Sequence, residues 1–426
     1  MALTFATSPE VERVVVENPV LAEMHEKFDC PDEFSVREMN PDLIAIGPEK
    51  PLIAGFADAL TESGYLVFGA GEYQAQAEGS KHWAGMFNER GGIVQPPYAT
   101  FHSYNAAAYH ARGRHAHGYV IKADGVAAGK GVTLPSTIGE SLEVLNELFV
   151  EGKYGGAGEK TTLIADRYHG PEASAFVVSD GLEFVILPLS QDHKRLKDGD
   201  QEGAKNPNTG GMGAYSPVPE SVVNKDQFGK IQEMAEKFMA QMEVEGHPYR
   251  GVLYMGLMMA EETDGDPVAI EYNVRFGDPE AQAVLPLLEK AGIDVYQLFK
   301  SAAEGELAYS QSEIDSAIAN HPQSALTVCL ASLGYPASSH KGDTINGLDR
   351  SYEDVIIHYA GVQKGEDGTI ETGGGRVLYV TGLGETVDDA ADRAYAAIGA
   401  NAIHFEGMQY RKEIGKQARG MRTPEF

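Results

Sequence analysis

The first part of the chain alternates short apolar segments with a helical pattern, and this alternation restricts the possible folds more than any other feature. Apolar runs at Leu43–Ile46 and Tyr65–Phe68 have the length of buried strands, and a helical pattern from Leu52 to about Ser63 connects them. A further strand is predicted at Val14–Val16. Strands that alternate with helices predict a parallel sheet, which binds ligands at the carboxyl ends of its strands. Glycines follow two of these ends, although a glycine that only turns the chain is an equally good interpretation of each.

The charge balance and the length exclude several classes of protein. The chain has 426 residues, too many for one hydrophobic core, so we expect about two to four domains. Its 34 basic and 63 acidic residues give a formal net charge of −29, which disfavours nucleic acid and anionic membranes as partners. No apolar run approaches the roughly 20 residues that span a bilayer, and the start lacks a secretory pattern, so we expect a cytoplasmic protein. Two cysteines exclude a disulfide framework, and the apolar run around Cys329 predicts a buried thiol.

The organisation along the chain predicts three domains of mixed α/β and α+β type. They are an N-terminal parallel α/β domain over residues 1–77, a central domain over 78–303 and a small α/β domain over 304–426. Inside the central domain, residues 119–187 form a mostly antiparallel module. Residues 191–215 are polar and glycine-rich, which predicts a loop.

The later elements are predicted from periodicity. A helix should bury Ile231, Met234, Phe238 and Met242, because their spacing places them on one face. Strands are predicted next at Gly251–Met259 and Val268–Val274, then at Ala325–Leu330 and Arg376–Thr381, with a helix at Val387–Ile398.

A glycine-rich turn between two predicted strands is the first segment with chemical meaning. Gly125, Gly129 and Gly131 leave backbone N–H groups unshielded, which suits phosphate binding, and Lys130 adds a cation. The spacing is not that of a Walker A loop, and the turn leads to a strand rather than a helix. A hairpin lid over a nucleotide fits this pattern better, with a mobile surface turn as the alternative.

The segment Ile270–Arg275 predicts a metal and phosphate site. Glu271 and Asn273 are two residues apart on a strand, so their side chains leave the same face, and both are hard oxygen donors of the type that Mg²⁺ prefers. Arg275 continues that face and could grip a phosphate or carboxylate. An ordinary exposed strand is the commoner interpretation of such a triplet. The glycine-rich, acidic continuation Phe276–Glu280 favours a site.

Two polar segments predict a place for an anionic substrate or intermediate. Asp192–Arg195 supplies two basic side chains, and Asn208–Gly213 supplies several backbone donors. Each segment by itself is more often only a loop.

Taken in chain order, these segments resemble the phosphoribosylamine–glycine ligases (glycinamide ribonucleotide synthetases), a family of the ATP-grasp superfamily. The resemblance extends over nearly the whole chain, and its most specific part is the string Pro207–Pro217. The other matching segments are Gly47–Glu49, Glu78–Lys81, Ile121–Val132, Gln191–Arg195, Asn273–Glu280, Gly374–Val377 and Tyr410–Lys412.

The resemblance implies that ATP activates glycine to glycyl phosphate, which the amine of 5-phosphoribosylamine then attacks to give glycinamide ribonucleotide, ADP and phosphate. Glu271 and Asn273 would bind Mg²⁺ or Mn²⁺, and the expected catalytic residues are Arg275, Asp192 and Lys194. The expected nucleotide-binding residues are Lys81, Lys122, Gly125, Gly129, Lys130, Gly131, Asp166, Glu172, Asn208, Gly210 and Gly211. Within this set, the backbone around Asp166 would contact adenine and Glu172 would bind ribose. The resemblance also implies an ATP-grasp central domain with a lid over 119–187, and we expect a monomer or a homodimer.

The chain departs from the family's pattern at its start. The family opens with an apolar strand and a Gly-x-Gly-Gly-Arg-Glu-His loop that offers N–H groups to the ribosyl phosphate, whereas Met1 aligns just after that loop. We expect a start codon assigned too late, with a natural truncation as the alternative. Gly85 also stands where the family commonly has lysine, and Ala165 where it commonly has an acid. Two other functions stay open: another ATP-grasp carboxylate–amine ligase, or a nucleotide-binding protein without turnover.

Overall fold

A computed structural model describes residues 1–16, 20, 25–31, 35–125, 131–152, 161–199 and 206–420. The predicted parallel pairing near the N-terminus is confirmed for two of the three predicted strands, whereas the first predicted strand pairs separately with a strand that was not predicted. Val14–Val15 pairs with Phe28–Asp29, and Ile44–Ala45 pairs with Val67–Phe68. The helix predicted from Leu52 to Ser63 is instead two helices, because Gly55 takes a left-handed conformation with φ of 75° between them. These helices are Glu49–Ile53 and Phe56–Glu62.

A four-stranded antiparallel sheet, called sheet A, follows. Its strands lie in the order Tyr98–Phe101, Thr162–Asp166, Tyr119–Ala123 and Val132–Thr133. Helices Tyr104–Arg112 and Ile138–Phe149 cover one face and share a core with it. The glycine-rich turn joins two neighbouring strands of this sheet, and its residues 126–130 lie outside the described residues.

A second four-stranded antiparallel sheet, sheet B, lies between two hydrophobic cores. Its strands lie in the order Phe184–Ile186, Glu172–Asp180, Arg250–Met259 and Pro267–Asn273. Along Arg250–Met259, alternate residues face two different cores, as the strand period of two requires. Helix Lys225–Val244 packs on one face and helix Val295–Glu304 on the other. The four apolar positions predicted on the first of these helices are all buried.

The predicted antiparallel module 119–187 therefore divides between two sheets. Its hairpin of Glu172–Asp180 and Phe184–Ile186 is confirmed, but this hairpin pairs with Arg250–Met259 in sheet B. Sheet A takes its remaining strand, Tyr98–Phe101, from before residue 119. The difference arises because strand partners far away in sequence leave no mark on local periodicity.

The central and C-terminal parts together form a five-stranded antiparallel sheet, sheet C. Its strands lie in the order Gln191–Asp192, Gly213–Ser216, Ser324–Ala331, Arg376–Gly384 and Val355–Tyr359, and helix Val387–Ala396 packs on it. The prediction of a loop over 191–215 was wrong at both ends, where the chain forms the first two of these strands. Cys329 is fully buried in the third strand, as predicted.

The remaining elements complete the described structure. The other helices are Ala2–Thr7, Val36–Met39, Glu72–Gly79, Lys81–Gly91, Ala281–Lys290 and Gln311–Asn320. Short 3₁₀ turns occur at Ala116–Gly118 and Glu261–Thr263, and a small antiparallel ladder pairs Val362–Lys364 with Ile370–Thr372. None of the helices in the described ranges has the length and apolarity needed to cross a membrane.

Candidate active site

A cleft with a volume of about 690 Å³ lies where the three sheets and the N-terminal segment meet. It brings together most of the residues singled out from the sequence. Those lining it are Lys81, Lys122, Gly125, Gly131, Asp166, Glu172, Asp192, Lys194, Asn208, Gly210, Glu271, Asn273 and Arg275. Gly211 follows Gly210 and lies against Pro279. Gly129 and Lys130 lie outside the described residues.

Glu271 lies among lysine side chains. Lys194 Nζ is 3.0 Å from Glu271 Oε1 and 4.0 Å from Glu172 Oε2. The charge of Lys194 lowers the pKa of Glu271 to about 2, with further lowering by Lys122 and Lys81, so the carboxylate stays ionised. The side chain of Glu271 keeps 32% of its surface exposed, and a ligand in the cleft can therefore reach it.

Lys122 and Lys81 lie in an environment that disfavours their charged form, whereas the charge of Glu271 raises the pKa of Lys194. Burial lowers the pKa of Lys122 to about 8 and also lowers the pKa of Lys81. Lys122 Nζ donates to the carbonyl of Ile270 at 3.1 Å, and Lys81 Nζ donates to the carbonyl of Gly125 at 3.0 Å. An anionic ligand stabilises the charged form of such desolvated lysines, because a phosphate replaces the water that they lack.

The donor set on the strand Pro267–Asn273 fits a divalent cation. Glu271 offers an ionised carboxylate, and Asn273 uses its amide NH₂ to donate to Glu78 Oε1 at 2.8 Å, which leaves its amide oxygen unused in that bond. Among the described residues there is no cluster of three or more His, Cys, Asp or Glu side chains that could hold a metal ion. Mg²⁺ commonly takes one or two protein oxygens and fills its shell with phosphates and water, so two oxygens on one strand face suffice.

Arg275 lines the cleft, with its guanidinium held by two carboxylates. Its Nε lies 3.2 Å from Glu49 Oε2, and its Nη2 lies 2.7 Å from Glu78 Oε1. Its Nη1 donates to the carbonyl of Phe276 at 3.0 Å. Glu49 and Glu78 belong to segments that the sequence identified, yet no role was predicted for either. One signal for Glu78 was available, since an acid in the last turn of a helix opposes the helix dipole.

Glu280, which is buried, and Asp192, which is half-buried, are two acids that line the cleft. Burial raises the pKa of Asp192 well above its usual range, and the neighbouring Glu280 raises it further. Burial also raises the pKa of Glu280, whose Oε1 lies 3.3 Å from the Ser174 hydroxyl. The charge of Lys194 opposes both of these shifts, so this lysine acts on three acids of the cleft at once.

Arg376 bridges two loops that line the cleft by contacting both of them. Its Nη1 donates to the carbonyl of Gly210 at 2.6 Å, and its Nη2 lies 3.0 Å from Asp278 Oδ2. The segment around Gly210 is thereby held against the turn that follows the strand of Glu271. No role for Arg376 was predicted, because nothing in the local sequence connects it to residues so far away.

Asp166, around which the sequence predicted an adenine contact, lines the cleft together with Gly85. The Asp166 carboxylate forms an ion pair with Arg114, and the Asp166 N–H donates to the carbonyl of Pro97 at 2.7 Å. A Cβ at Gly85 would lie 2.6 Å from Tyr98 Cζ, so the tyrosine ring occupies the space of a longer side chain. A longer side chain at position 85 would therefore require the Tyr98 ring to move.

Comparison with known proteins places this geometry in a family. The model of the phosphoribosylglycinamide synthetase ATP-grasp (A) domain matches residues 79–281, and the model of its C domain matches residues 325–417. The phosphoribosylamine–glycine ligase of Neisseria meningitidis serogroup B is 41% identical over 384 residues, which cover 90% of this chain and 86% of that protein. The trifunctional purine biosynthetic protein adenosine-3 of Gallus gallus is 40% identical over 90% of this chain and 36% of its own length.

Solved structures agree with the sequence relatives. The phosphoribosylamine–glycine ligase of Thermotoga maritima superposes with a TM-score of 0.80 at 31% identity, covering 97% of this chain and 96% of that one. The fold and the cleft are those of an ATP-grasp enzyme, which uses ATP together with a divalent metal. Within that class, the chain belongs to the phosphoribosylamine–glycine ligase family and is an ATP-dependent ligase of purine biosynthesis.

Proposed function

We propose that the cleft ligates glycine to 5-phosphoribosylamine through glycyl phosphate, releasing ADP and phosphate. The observation that carries the assignment to this cleft is the position of Glu271. An ionised carboxylate on a strand face, surrounded by Lys81, Lys122 and Lys194, combines a cation ligand with three phosphate-binding charges. Phosphoryl transfer depends mainly on positioning and on neutralising charge, and this arrangement supplies both.

The nucleotide is assigned to the side of the cleft formed by sheet A. Lys81 and Lys122 would neutralise its phosphates, and Gly125 and Gly131, which bound the glycine-rich turn, line the cleft. The backbone at Asp166 would contact adenine, and Glu172 would bind ribose. Closure of the turn would exclude water, which otherwise hydrolyses an acyl phosphate.

The metal is assigned to Glu271 and Asn273, with Mg²⁺ or Mn²⁺ as the expected ion. Glu271 and Asn273 would hold the metal, which when bound would supply positive charge to offset the negative charge of the transferring phosphoryl group. Glu271 would supply a charged ligand, and Asn273 a neutral one. This pairing avoids excess negative charge next to a triphosphate.

The acyl phosphate is assigned to Arg275, Lys194 and Asp192. Arg275 would stabilise its phosphoryl oxygens. Lys194, which lies 3.0 Å from Glu271 at the proposed metal site, would contact the same phosphoryl group. Asn208, Gly210 and Gly211 would offer polar contacts from the loop that Arg376 fastens. The amine of 5-phosphoribosylamine then displaces phosphate from the glycyl carbonyl with loss of one proton.

The test is release of ADP that depends on both substrates. We expect ADP to form only when glycine and 5-phosphoribosylamine are present together, with glycinamide ribonucleotide in equal amount by mass spectrometry. Release with another carboxylate in place of glycine would favour a different carboxylate–amine ligase. ATP binding without ligation at high 5-phosphoribosylamine would favour a nucleotide-binding protein without turnover.

Further proposals concern the whole chain. We propose a cytoplasmic location and a monomer or a homodimer. We also propose that residues 1–77, 78–303 and 304–426 act as the substrate-binding, ATP-grasp and C-terminal domains, with sheet A as the lid.

A further inference from the structure

One buried carboxylate accepts hydrogen bonds from three consecutive residues at the end of the strand that bears Glu271. Glu78 is 8% exposed. Its Oε1 accepts from Asn273 Nδ2 at 2.8 Å and from Arg275 Nη2 at 2.7 Å, and its Oε2 accepts from the Val274 N–H at 2.9 Å. Glu78 lies in the last turn of helix Glu72–Gly79, where an acid opposes the helix dipole. The local helix therefore gives no reason for an acid there, whereas its three partners do.

The bond to Glu78 determines which end of the Asn273 amide enters the cleft. A carboxylate only accepts hydrogen bonds, so the amide must turn its NH₂ toward Glu78. Its oxygen is then the end that remains for a cation. Turning the amide by half a rotation would present NH₂ to the cation, and an NH₂ group cannot ligate a metal.

We infer that Glu78 is a positioning residue, which orients the Asn273 amide for metal binding and holds the guanidinium of Arg275. The inference rests on the proposed function, because it takes Asn273 as a metal ligand. Groups that orient metal ligands commonly contribute about 10-fold to 100-fold to metal affinity. The competing interpretation is an ion pair that only packs helix Glu72–Gly79 against the strand.

The decisive change is Glu78→Gln, which keeps the size of the side chain. A glutamine side chain has one acceptor oxygen and one NH₂ donor. Its NH₂ must therefore face another donor, either the Val274 N–H or the Asn273 NH₂, and one of the two hydrogen bonds is lost. Glu49→Gln is the matched control. Glu49 also contacts Arg275, through Nε at 3.2 Å, and makes no described contact with Asn273.

The experiment measures Mn²⁺ binding by electron paramagnetic resonance, in the presence of saturating ADP and without turnover. We expect Glu78→Gln to weaken Mn²⁺ binding about 10-fold to 100-fold. We expect Glu49→Gln to leave it unchanged. In the Asn273→Ala background, Glu78→Gln should add no further loss, because the amide that it orients is gone.

Each outcome separates the inference from the proposed function. If Asn273→Ala itself leaves Mn²⁺ binding unchanged, the proposed metal site is wrong. If Asn273→Ala weakens binding and Glu78→Gln does not, the metal site stands and the positioning role of Glu78 is wrong. Losses that add in the double variant would equally overturn that role.

A second variant covers the case in which Glu78→Gln does not fold. Glu78→Asp keeps the charge beside Arg275 and shortens the reach to Asn273. We expect it to retain cooperative thermal unfolding and metal-free ADP binding while weakening Mn²⁺ binding several-fold. Normal Mn²⁺ binding by a folded Glu78→Asp variant would contradict the inference.

Discussion

At the scale of single residues, the negative charge of Glu271 offsets the repulsion between the lysines that surround it. Glu271→Gln keeps the shape and removes the charge that faces Lys194 at 3.0 Å. We expect kcat to fall on the order of 100-fold to 1000-fold, because a preorganised charge at the transferring phosphoryl group is lost. Circular dichroism should show an unchanged fold. Normal turnover by this variant at ordinary Mg²⁺ concentrations would remove Glu271 from the metal site.

A second residue-scale prediction concerns pH. Burial lowers the pKa of Lys122 to about 8, so its ammonium loses its charge as pH rises through that value. We expect kcat/KM for ATP to fall about 10-fold per pH unit above pH 8. Lys122→Arg should flatten this fall, because arginine stays protonated. Lys416→Arg, at a side chain 68% exposed, should keep it.

The expected fall in kcat/KM above pH 8 cannot arise from unfolding caused by the deprotonation of Lys122. In the unfolded chain this lysine has the ordinary lysine pKa of 10.5, so the unfolded state binds more protons than the folded state between about pH 8 and 10.5. The contribution of Lys122 to the free energy of unfolding therefore rises with pH in that window. A midpoint of thermal unfolding that fell in step with kcat/KM would point to another group.

At the scale of elements, segments with a periodic or continuous apolar pattern could be predicted, and short polar strands could not. Helix Lys225–Val244 was predicted because its apolar positions recur on one face along its 20 residues. Strands Gln191–Asp192 and Gly213–Ser216 were missed because their sequences lack the apolar run that identified the comparably short strands Ile44–Ala45 and Val67–Phe68. The structure of the two missed strands comes from pairing with each other and with Ser324–Ala331, and sequence spacing does not reveal that partner.

In the candidate site, too, local spacing could be predicted from the sequence and contacts between distant residues could not. Glu271 and Asn273 share a strand face, which follows from a period of two and needs no distant information. Glu78 lies 195 residues from Asn273 in the sequence, so their hydrogen bond could not be predicted. Arg376 and Asp278 likewise meet only through the packing of sheet C against the rest of the molecule.

An element-scale prediction tests how tightly the Asn208–Gly213 loop is packed. Gly211 has φ of 111°, a conformation that favours glycine, and an added Cβ would collide with Pro279. We expect Gly211→Ala to lower the free energy of unfolding by about 1–3 kcal/mol and to reduce kcat. Chemical denaturation measures the first effect, and ADP release measures the second.

The matched control is another Gly→Ala change. Gly229 lies inside helix Lys225–Val244, and nothing lies within 4 Å of an added Cβ there. We expect Gly229→Ala to raise the free energy of unfolding by up to about 1 kcal/mol, because alanine is the better helix former. If both variants had the same effect, the close packing of Gly211 would not be the cause of its sensitivity.

At the scale of the whole molecule, sheet C joins parts of the chain on both sides of the predicted boundary at residue 304. Gly213–Ser216 pairs with Ser324–Ala331 along four residues, and every residue of both strands is buried. Arg376 adds a connection from the C-terminal part to the cleft, through Gly210 and Asp278. The central and C-terminal parts therefore share one core in this region.

This shared sheet predicts that residues 1–303 do not fold alone, although they contain every residue assigned to ATP and metal. Removal of Ser324–Ala331 leaves the buried Ala214 and Tyr215 at an open sheet edge, which promotes association between chains. We expect the shortened chain to lose cooperative thermal unfolding and ATP binding, and to aggregate in gel filtration. Co-expression with residues 304–426 as a separate chain should restore a soluble complex that binds ATP. A shortened chain that remains monomeric, unfolds cooperatively and binds ATP would show that the core of sheet C is dispensable to the cleft.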